Sequence, residues 1–305
     1  MKALNTFVLT TAIAALAGPA ASGVPDPWAD EVISHDPGIG GAPGYDNPAT
    51  TLGPPEQYSG EGVDPGVVSP FQPAWTPVEL VSIGAGGHLV LAFDEPIEDH
   101  PDNPFGIDLV IFGNAGFIDG AYPAGVVAGL FGADGGDISL SVDGITWMSV
   151  PDCLADHAWP TLAWRDVDPY AVEPGQDAAD PLMPMDPALD WADLVGAGWE
   201  DVLSAYGQSA GGVGIDLASV SIDQVRFVRI DVAVDALLTP EIDAIVDIPP
   251  RLAADLDGDG TVGVNDLLLM LEAWGPVDPG DPGDVNEDGT VDVNDLLSLL
   301  KEWSS

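Results

Sequence analysis

DLDGDGTVGVNDLLLMLEAWG, from Asp255 to Gly275, is answered 29 residues later by DVNEDGTVDVNDLLSLLKEWS, from Asp284 to Ser304. Aligned without a gap, 12 of the 21 positions are identical. An internal repeat of this size means one small structural unit used twice. Each copy carries acidic or amide side chains at positions 1, 3 and 5, a glycine at position 6 and an acid at position 12. In the first copy these are Asp255, Asp257, Asp259, Gly260 and Asp266; in the second, Asp284, Asn286, Asp288, Gly289 and Asp295. This is the spacing of a twelve-residue calcium loop, in which alternate side chains converge on one ion. The glycine permits a turn that a β-carbon would obstruct. Position 7 ligates through its backbone carbonyl, which assigns Thr261 and Thr290. Position 9 works through water: Asp292 suits that, and Gly263 leaves the place to water alone. Two Ca2+ ions are therefore expected, one per loop.

The apolar spacing predicts one helix after each loop. Leu267, Leu268, Leu271 and Trp274 form the stripe of the first, and Leu296, Leu297, Leu300 and Trp303 that of the second. Neither helix can bury its stripe alone, so the two are expected to pack together. Asp266 and Asp295 fall in the first helical turn, where the macrodipole favours an anion. Without cations the carboxylates of each loop repel one another, so the segment is expected to fold only with calcium.

With these features residues 255–304 resemble a dockerin domain, which has two tandem loops ending in Asp, each followed by a helix. The resemblance implies a calcium-binding tail over 249–305 that docks to a cohesin-like or other surface receptor, most often in polysaccharide-degrading machinery. It also implies that loop positions 10 and 11 read the partner: Val264 and Asn265, and Val293 and Asn294. The two pairs are identical, so either face can dock. They are not the Ser/Thr pairs of the best-known dockerins, which leaves a different receptor or self-association open.

Working outward, Pro249-Pro250-Arg251 marks the boundary with the preceding domain, and GPVDPGDPG over 275–283 separates the repeats and stops the first helix. The chain has 305 residues, 6 basic against 51 acidic, and a formal net charge of −45. Such a charge makes nucleic acid and anionic membranes poor partners. Lys2, the apolar run Phe7 to Ala17 and the small residues Ala20-Ala21-Ser22 read as a secretory signal over 1–22, so a secreted or cell-surface protein is expected. No later apolar run is long enough to span a membrane. The single Cys153 permits no internal disulfide.

Residues 24–77 are crowded with Pro and Gly and read as ordered loop, with a first strand over Ala29 to Ser34. Strands are then predicted over Val78 to Ile83, His88 to Phe93, Ile107 to Phe112, Ile138 to Val142, Thr146 to Val150, Gln224 to Val232 and Ile242 to Ile248. Asp143-Gly144 is a hairpin signal. Between Pro151 and Gly214 lies a long Trp-rich excursion, with one helix predicted over Ala192 to Tyr206. Short strands with turn signals predict a mostly β fold: an antiparallel sandwich over 23–248, followed by the small helical calcium-binding domain.

The order of the turns and strands carries a second resemblance. Ser82-Ile83-Gly84-Ala85-Gly86-Gly87, Phe93-Asp94-Glu95-Pro96-Ile97, Gly106-Ile107-Asp108-Leu109-Val110-Ile111-Phe112 and Val228-Arg229-Ile230-Asp231 are among its motifs. They are similar to a family of secreted bacterial cell-surface domains with a jelly-roll sandwich akin to galactose-binding-like domains. That family has Phe-Glu-Asn after its buried strand; here Phe112-Gly113-Asn114 lacks the acid.

Asp108, Asp216, Asp231 and Asp243 end or follow predicted strands. They either cap turns or hold a further ion in the sandwich. Trp147, Trp159, Trp164, Tyr170, Trp191 and Trp199 either pack against the sandwich or form a platform for sugar rings. Gly207-Gln208-Ser209-Ala210-Gly211 matches the nucleophile-elbow pattern, but a predicted helix precedes it and no His follows His157. No catalytic constellation can be named. Two readings stand: a non-catalytic binding or surface module that binds polysaccharide, and an exported glycoside hydrolase-type component with the sandwich as catalytic domain.

Overall fold

The computed structural model describes residues 26–60, 65–257, 261–277, 281–286 and 288–303. The secretory signal expected over 1–22, together with Asp259 and Gly260, lies outside the described residues. The principal strands are β1 (Glu31–Asp36), β2 (Val81–Ser82), β3 (His88–Glu98), β4 (Leu109–Gly113), β5 (Gly135–Ser141), β6 (Met148–Asp156), β7 (Val213–Ile215), β8 (Gln224–Asp231) and β9 (Glu241–Asp247). They form a five-stranded sheet in the order β1-β3-β8-β5-β6 and a four-stranded sheet in the order β7-β4-β9-β2. Every pairing within these two sheets is antiparallel.

The side-chain period of two assigns each residue to a face. Leu89, Leu91 and Phe93 of β3, Ile138 and Leu140 of β5, and Val228 and Ile230 of β8 meet Leu109 and Ile111 of β4 and Ile242 and Ile245 of β9 in one core between the sheets. The alternate residues of β4 and β9, Val110, Phe112, Ala244 and Val246, belong to a second core on the outer face. The four-stranded sheet is thus buried on both sides, which explains the unbroken apolar run of β4.

The long excursion covers that outer face. Its helix α1 (Trp199–Tyr206) contributes Trp199, Val202 and Tyr206, and its loops contribute Leu162, Ala179 and Met185. Its own side chains strap it down: Tyr206 Oη donates to the Pro160 carbonyl at 2.7 Å, Trp199 Nε1 to that of Val167 at 2.9 Å, and Arg165 pairs with Asp177 at 3.1 Å.

Several element boundaries differ from the sequence reading. The helix expected over Ala192 to Tyr206 is a 3-10 turn over Trp191–Leu194 and then α1, because Gly196 between them takes φ +92°. The strand expected over Val78 to Ile83 is confined to β2. Ahead of it, Trp75 N and Thr76 N donate to the Glu79 carboxylate and hold a turn. The first strand runs over 31–36 rather than 29–34. A ribbon of Gly116–Asp119 with Val127–Phe131 has too much glycine to show an alternation in sequence.

Beyond Arg251, two helices follow the repeated loops: α2 (Val264–Glu272) and α3 (Val293–Lys301). They share a small core of Ala254, Val262, Met270, Val291 and Leu299, flanked by Leu256, Leu267, Leu296 and Trp303. Gly275–Pro276 pairs with Thr290–Val291, and Ala254 N donates to Glu302 at 2.9 Å, which closes the unit end to end.

Candidate functional site

Each repeated loop delivers its position-12 acid through a helix start. Asp266 is in the first turn of α2 and buried; Asp295 is in that of α3 and fully buried. Asp266 Oδ1 accepts from Leu256 N at 2.7 Å and Asp257 N at 3.1 Å, and its Oδ2 accepts from Gly263 N at 2.7 Å. Burial works against the charge, but these backbone donors outweigh it and hold the Asp266 carboxyl below the usual range. Asp266 is therefore ionised at neutral pH, as a cation ligand must be. Asp255, Asp257 and Asp266 each bring one carboxylate oxygen to within 4.8 Å of the others. Opposite ligands of a calcium ion are separated by about twice its 2.3–2.6 Å bond. Three carboxylate oxygens so placed could hold one cation.

The second loop is closed by its own backbone. Asp284 accepts from Asp288 N at 3.1 Å and Gly289 N at 2.8 Å, Asn286 from Asp288 N at 3.0 Å, and Asp288 from Thr290 N at 3.0 Å. Asp295 accepts from Asn286 N at 3.1 Å and Asp292 N at 2.7 Å, while Asp292 caps α3 through Asn294 N at 2.7 Å. Gly289 adopts φ +89°, the left-handed turn its position requires.

The acids also fix how the helices turn. Asp266 must face the loop, so Met270 and Ala273, four and seven residues on, share its side and enter the small core. Asp295 and Leu299 repeat this. The apolar stripe expected to be buried is consequently displaced: Leu268, Leu271, Trp274, Leu297 and Leu300 are exposed, and only Leu267, Leu296 and Trp303 reach the core in part. Val264 and Leu268 with Leu271, and Val293 and Leu297 with Leu300, form outward apolar rows at helical spacing. Asn265 and Asn294 are exposed beside them.

In the sandwich, four sequence-predicted acids separate into three settings. Asp108 and Asp216 come together, and Asp99 joins them. Asp231 is instead held by Arg229 through two bonds of 2.7 and 2.6 Å. Asp243 is buried and accepts from Glu56 N at 3.0 Å. Sequence reasoning missed Asp156, which is fully buried and accepts from Ala115 N and Glu241 N at 3.3 and 3.2 Å. Its carboxylate occupies the space that a β-carbon on Gly113 would enter. Glu241 beside it is pushed up to about 7, by burial and by Asp134, against hydrogen bonds from Ser82 and Thr239.

Of the two alternatives for the six aromatics, packing describes five, while Trp147 lies under the Arg229 guanidinium. Trp199 is buried; Trp159, Tyr170 and Trp191 pack against the outer core, and Trp164 against a smaller cluster. Other aromatics line an open cavity of about 640 Å3: Phe71, Trp75, Tyr122 and Phe131, with Tyr170 and Gln72. Tyr122 and Tyr170 meet edge to face at 4.9 Å. Ser209 is buried after α1 and its Oγ accepts from Gly211 N at 2.9 Å, so it is a turn residue. Among the described residues no helix is long and apolar enough to cross a membrane. No family model and no curated protein matches the chain.

Proposed function

We propose that this chain is a secreted, non-catalytic binding or surface module whose C-terminal unit folds on two calcium ions and docks it to a protein receptor. The observation that carries the reading is the convergence of Asp255, Asp257 and Asp266 in the first of two in-register loops. Asp259, Thr261 and, in the second loop, Asp284, Asn286, Asp288, Thr290, Asp292 and Asp295 complete the proposed ligand sets. The dockerin likeness supplies the role. Val264, Asn265, Val293 and Asn294, with the exposed apolar rows, are the surface offered to a cohesin-like or other receptor. The sandwich reads as a jelly roll, and its open aromatic cavity suits the face of a sugar ring, so polysaccharide is the proposed ligand there.

Calorimetric titration of the full chain with calcium tests the tail, with Asp266→Ala/Asp295→Ala as control. Loss of the high-affinity heat in the variant is expected; an unchanged isotherm contradicts the assignment. Glycan-array binding together with a reducing-sugar release assay tests the sandwich. Binding without release is expected. Release that disappears on mutating one sandwich acid establishes the hydrolase reading in its place.

A further inference from the structure

The loop that joins the Gly116–Asp119 and Val127–Phe131 strands is built around one carboxylate. Asp119 Oδ1 accepts from Ala121 N at 2.8 Å and Val126 N at 3.0 Å, and its Oδ2 from Gly125 N at 3.0 Å and Tyr170 Oη at 3.3 Å. Burial works against the charge, but these bonds outweigh it and hold the Asp119 carboxyl below the usual range. Asp119 is therefore an anion that ties the loop to the excursion. The loop carries Tyr122, 72% exposed, and sets its ring 4.9 Å from that of Tyr170 at 66°. Phe71 continues the wall at 6.4 Å from Tyr170, and Trp75 and Phe131 complete the cavity of about 640 Å3.

The lining of this cavity contains no Lys, Arg or His. Among the described residues each arginine is engaged elsewhere: Arg165 with Asp177, Arg229 with Asp231, Arg251 with Asp180, and Arg226 with the Phe93 and Asp94 carbonyls. Asp119, by contrast, is bonded directly to a lining phenol. A net charge of −45 adds a field that draws cations and repels anions.

Hydrogen-bonding side chains in the lining are few: Gln72, the indole of Trp75 and the phenols of Tyr122 and Tyr170, the last already donating to Asp119. A neutral sugar ring gives up water around every hydroxyl on entering, and so few partners replace it poorly. A cation is attracted to the negative faces of aromatic rings without matched hydrogen bonds. Two rings at 66° present both faces to a compact cation in the corner between them, whereas a flat sugar ring lies on only one.

We propose that the cavity selects glycans whose sugar rings carry free amino groups, over neutral and anionic glycans. This rests on the reading of the cavity as a glycan site. The protonated amine is held against the faces of Tyr122 and Tyr170, with the Asp119 carboxylate behind the Tyr170 phenol. The apolar face of the sugar ring lies on the remaining aromatics.

The test measures, by calorimetry, the binding of three oligosaccharide series to the calcium-loaded full chain. They are glucosamine oligomers, N-acetylglucosamine oligomers, in which acetylation removes the charge and keeps the ring, and glucuronate-containing oligomers. The buffer is mildly acidic, where the sugar amine is protonated, and at physiological ionic strength, where a Debye length of about 8 Å screens the distant acidic surface. Glucosamine oligomers should bind about tenfold or more tightly than their acetylated counterparts, the scale of one cation–π contact, and the glucuronate series should not bind. Tyr122→Ala, at an exposed position, should leave the melting temperature unchanged and weaken glucosamine binding by the same factor. Equal affinity for the free and acetylated series overturns the amine selectivity and leaves the glycan reading standing. Binding of none of the three overturns the proposal, and the glycan array then decides the reading beneath it. Glucosamine binding that Tyr122→Ala leaves unchanged assigns the attraction to the acidic surface at large and also overturns the proposal.

Discussion

At the scale of single residues, the acids do different work according to what answers their charge. Asp266 is held ionised by backbone donors, whereas Glu241 is pushed up to about 7. Glu241 therefore holds more protons folded than unfolded between its ordinary 4.5 and about 7. Its effect on stability is least unfavourable below the lower value and becomes more unfavourable as pH rises through the window. Glu241→Gln can still accept from Ser82 Oγ, so it should flatten that part of the curve and raise stability at pH 7.5. Urea unfolding at pH 5 and 7.5 checks it; a variant that keeps the wild-type slope contradicts the assignment. Gly113→Ala should cost about 1–3 kcal/mol by the same measurement, because its new methyl meets the Asp156 carboxylate.

Sequence showed the loop acids residue by residue, since their pattern is local. It did not show Asp156, which is adjacent to Gly113 only through the fold. Nor did it show Asp99, which meets Asp216, more than a hundred positions away, only through the fold.

At the scale of elements, the loop acid and not the apolar count sets the helix face. The repeat made α2 and α3 legible, but an apolar residue lies at every position from Leu267 to Leu271, so the pattern alone could not choose a side. Asp266 and Asp295 chose it. Met270→Ala should cost about 2–5 kcal/mol of tail stability, as buried Met truncations do. Leu268→Lys and Leu297→Lys, on the exposed side, should leave calcium affinity and melting unchanged while weakening receptor capture. Thermal melts of the tail in saturating calcium separate these outcomes. In the sandwich, the strands of strong alternation were legible. β7 was legible only as a glycine-rich strand without bounds, being three residues with Gly214 at its centre, and the excursion helix was shortened by Gly196.

At the scale of the whole molecule, a chain of net charge −45 holds itself together by placing part of its acid where cations or backbone donors can meet it. The rest faces solvent and repels, which salt screens. Raising ionic strength with a monovalent salt should therefore raise the sandwich melting temperature even in the presence of chelator. Insensitivity to salt would contradict that electrostatic account. The boundary near Arg251 is tied to the sandwich by its guanidinium on Asp180 at 2.7 Å and by its N–H on the Asp102 carbonyl at 3.1 Å. The sequence marked that boundary by its prolines but gave no sign of those contacts.

The most direct measurement is far-UV circular dichroism of residues 250–305, which carry their own small core, first with calcium and then with excess chelator. Helical signal from α2 and α3 in calcium, lost on chelation and restored by added calcium, is the expected result. Equal helix content under both conditions would contradict a tail that folds on its ions.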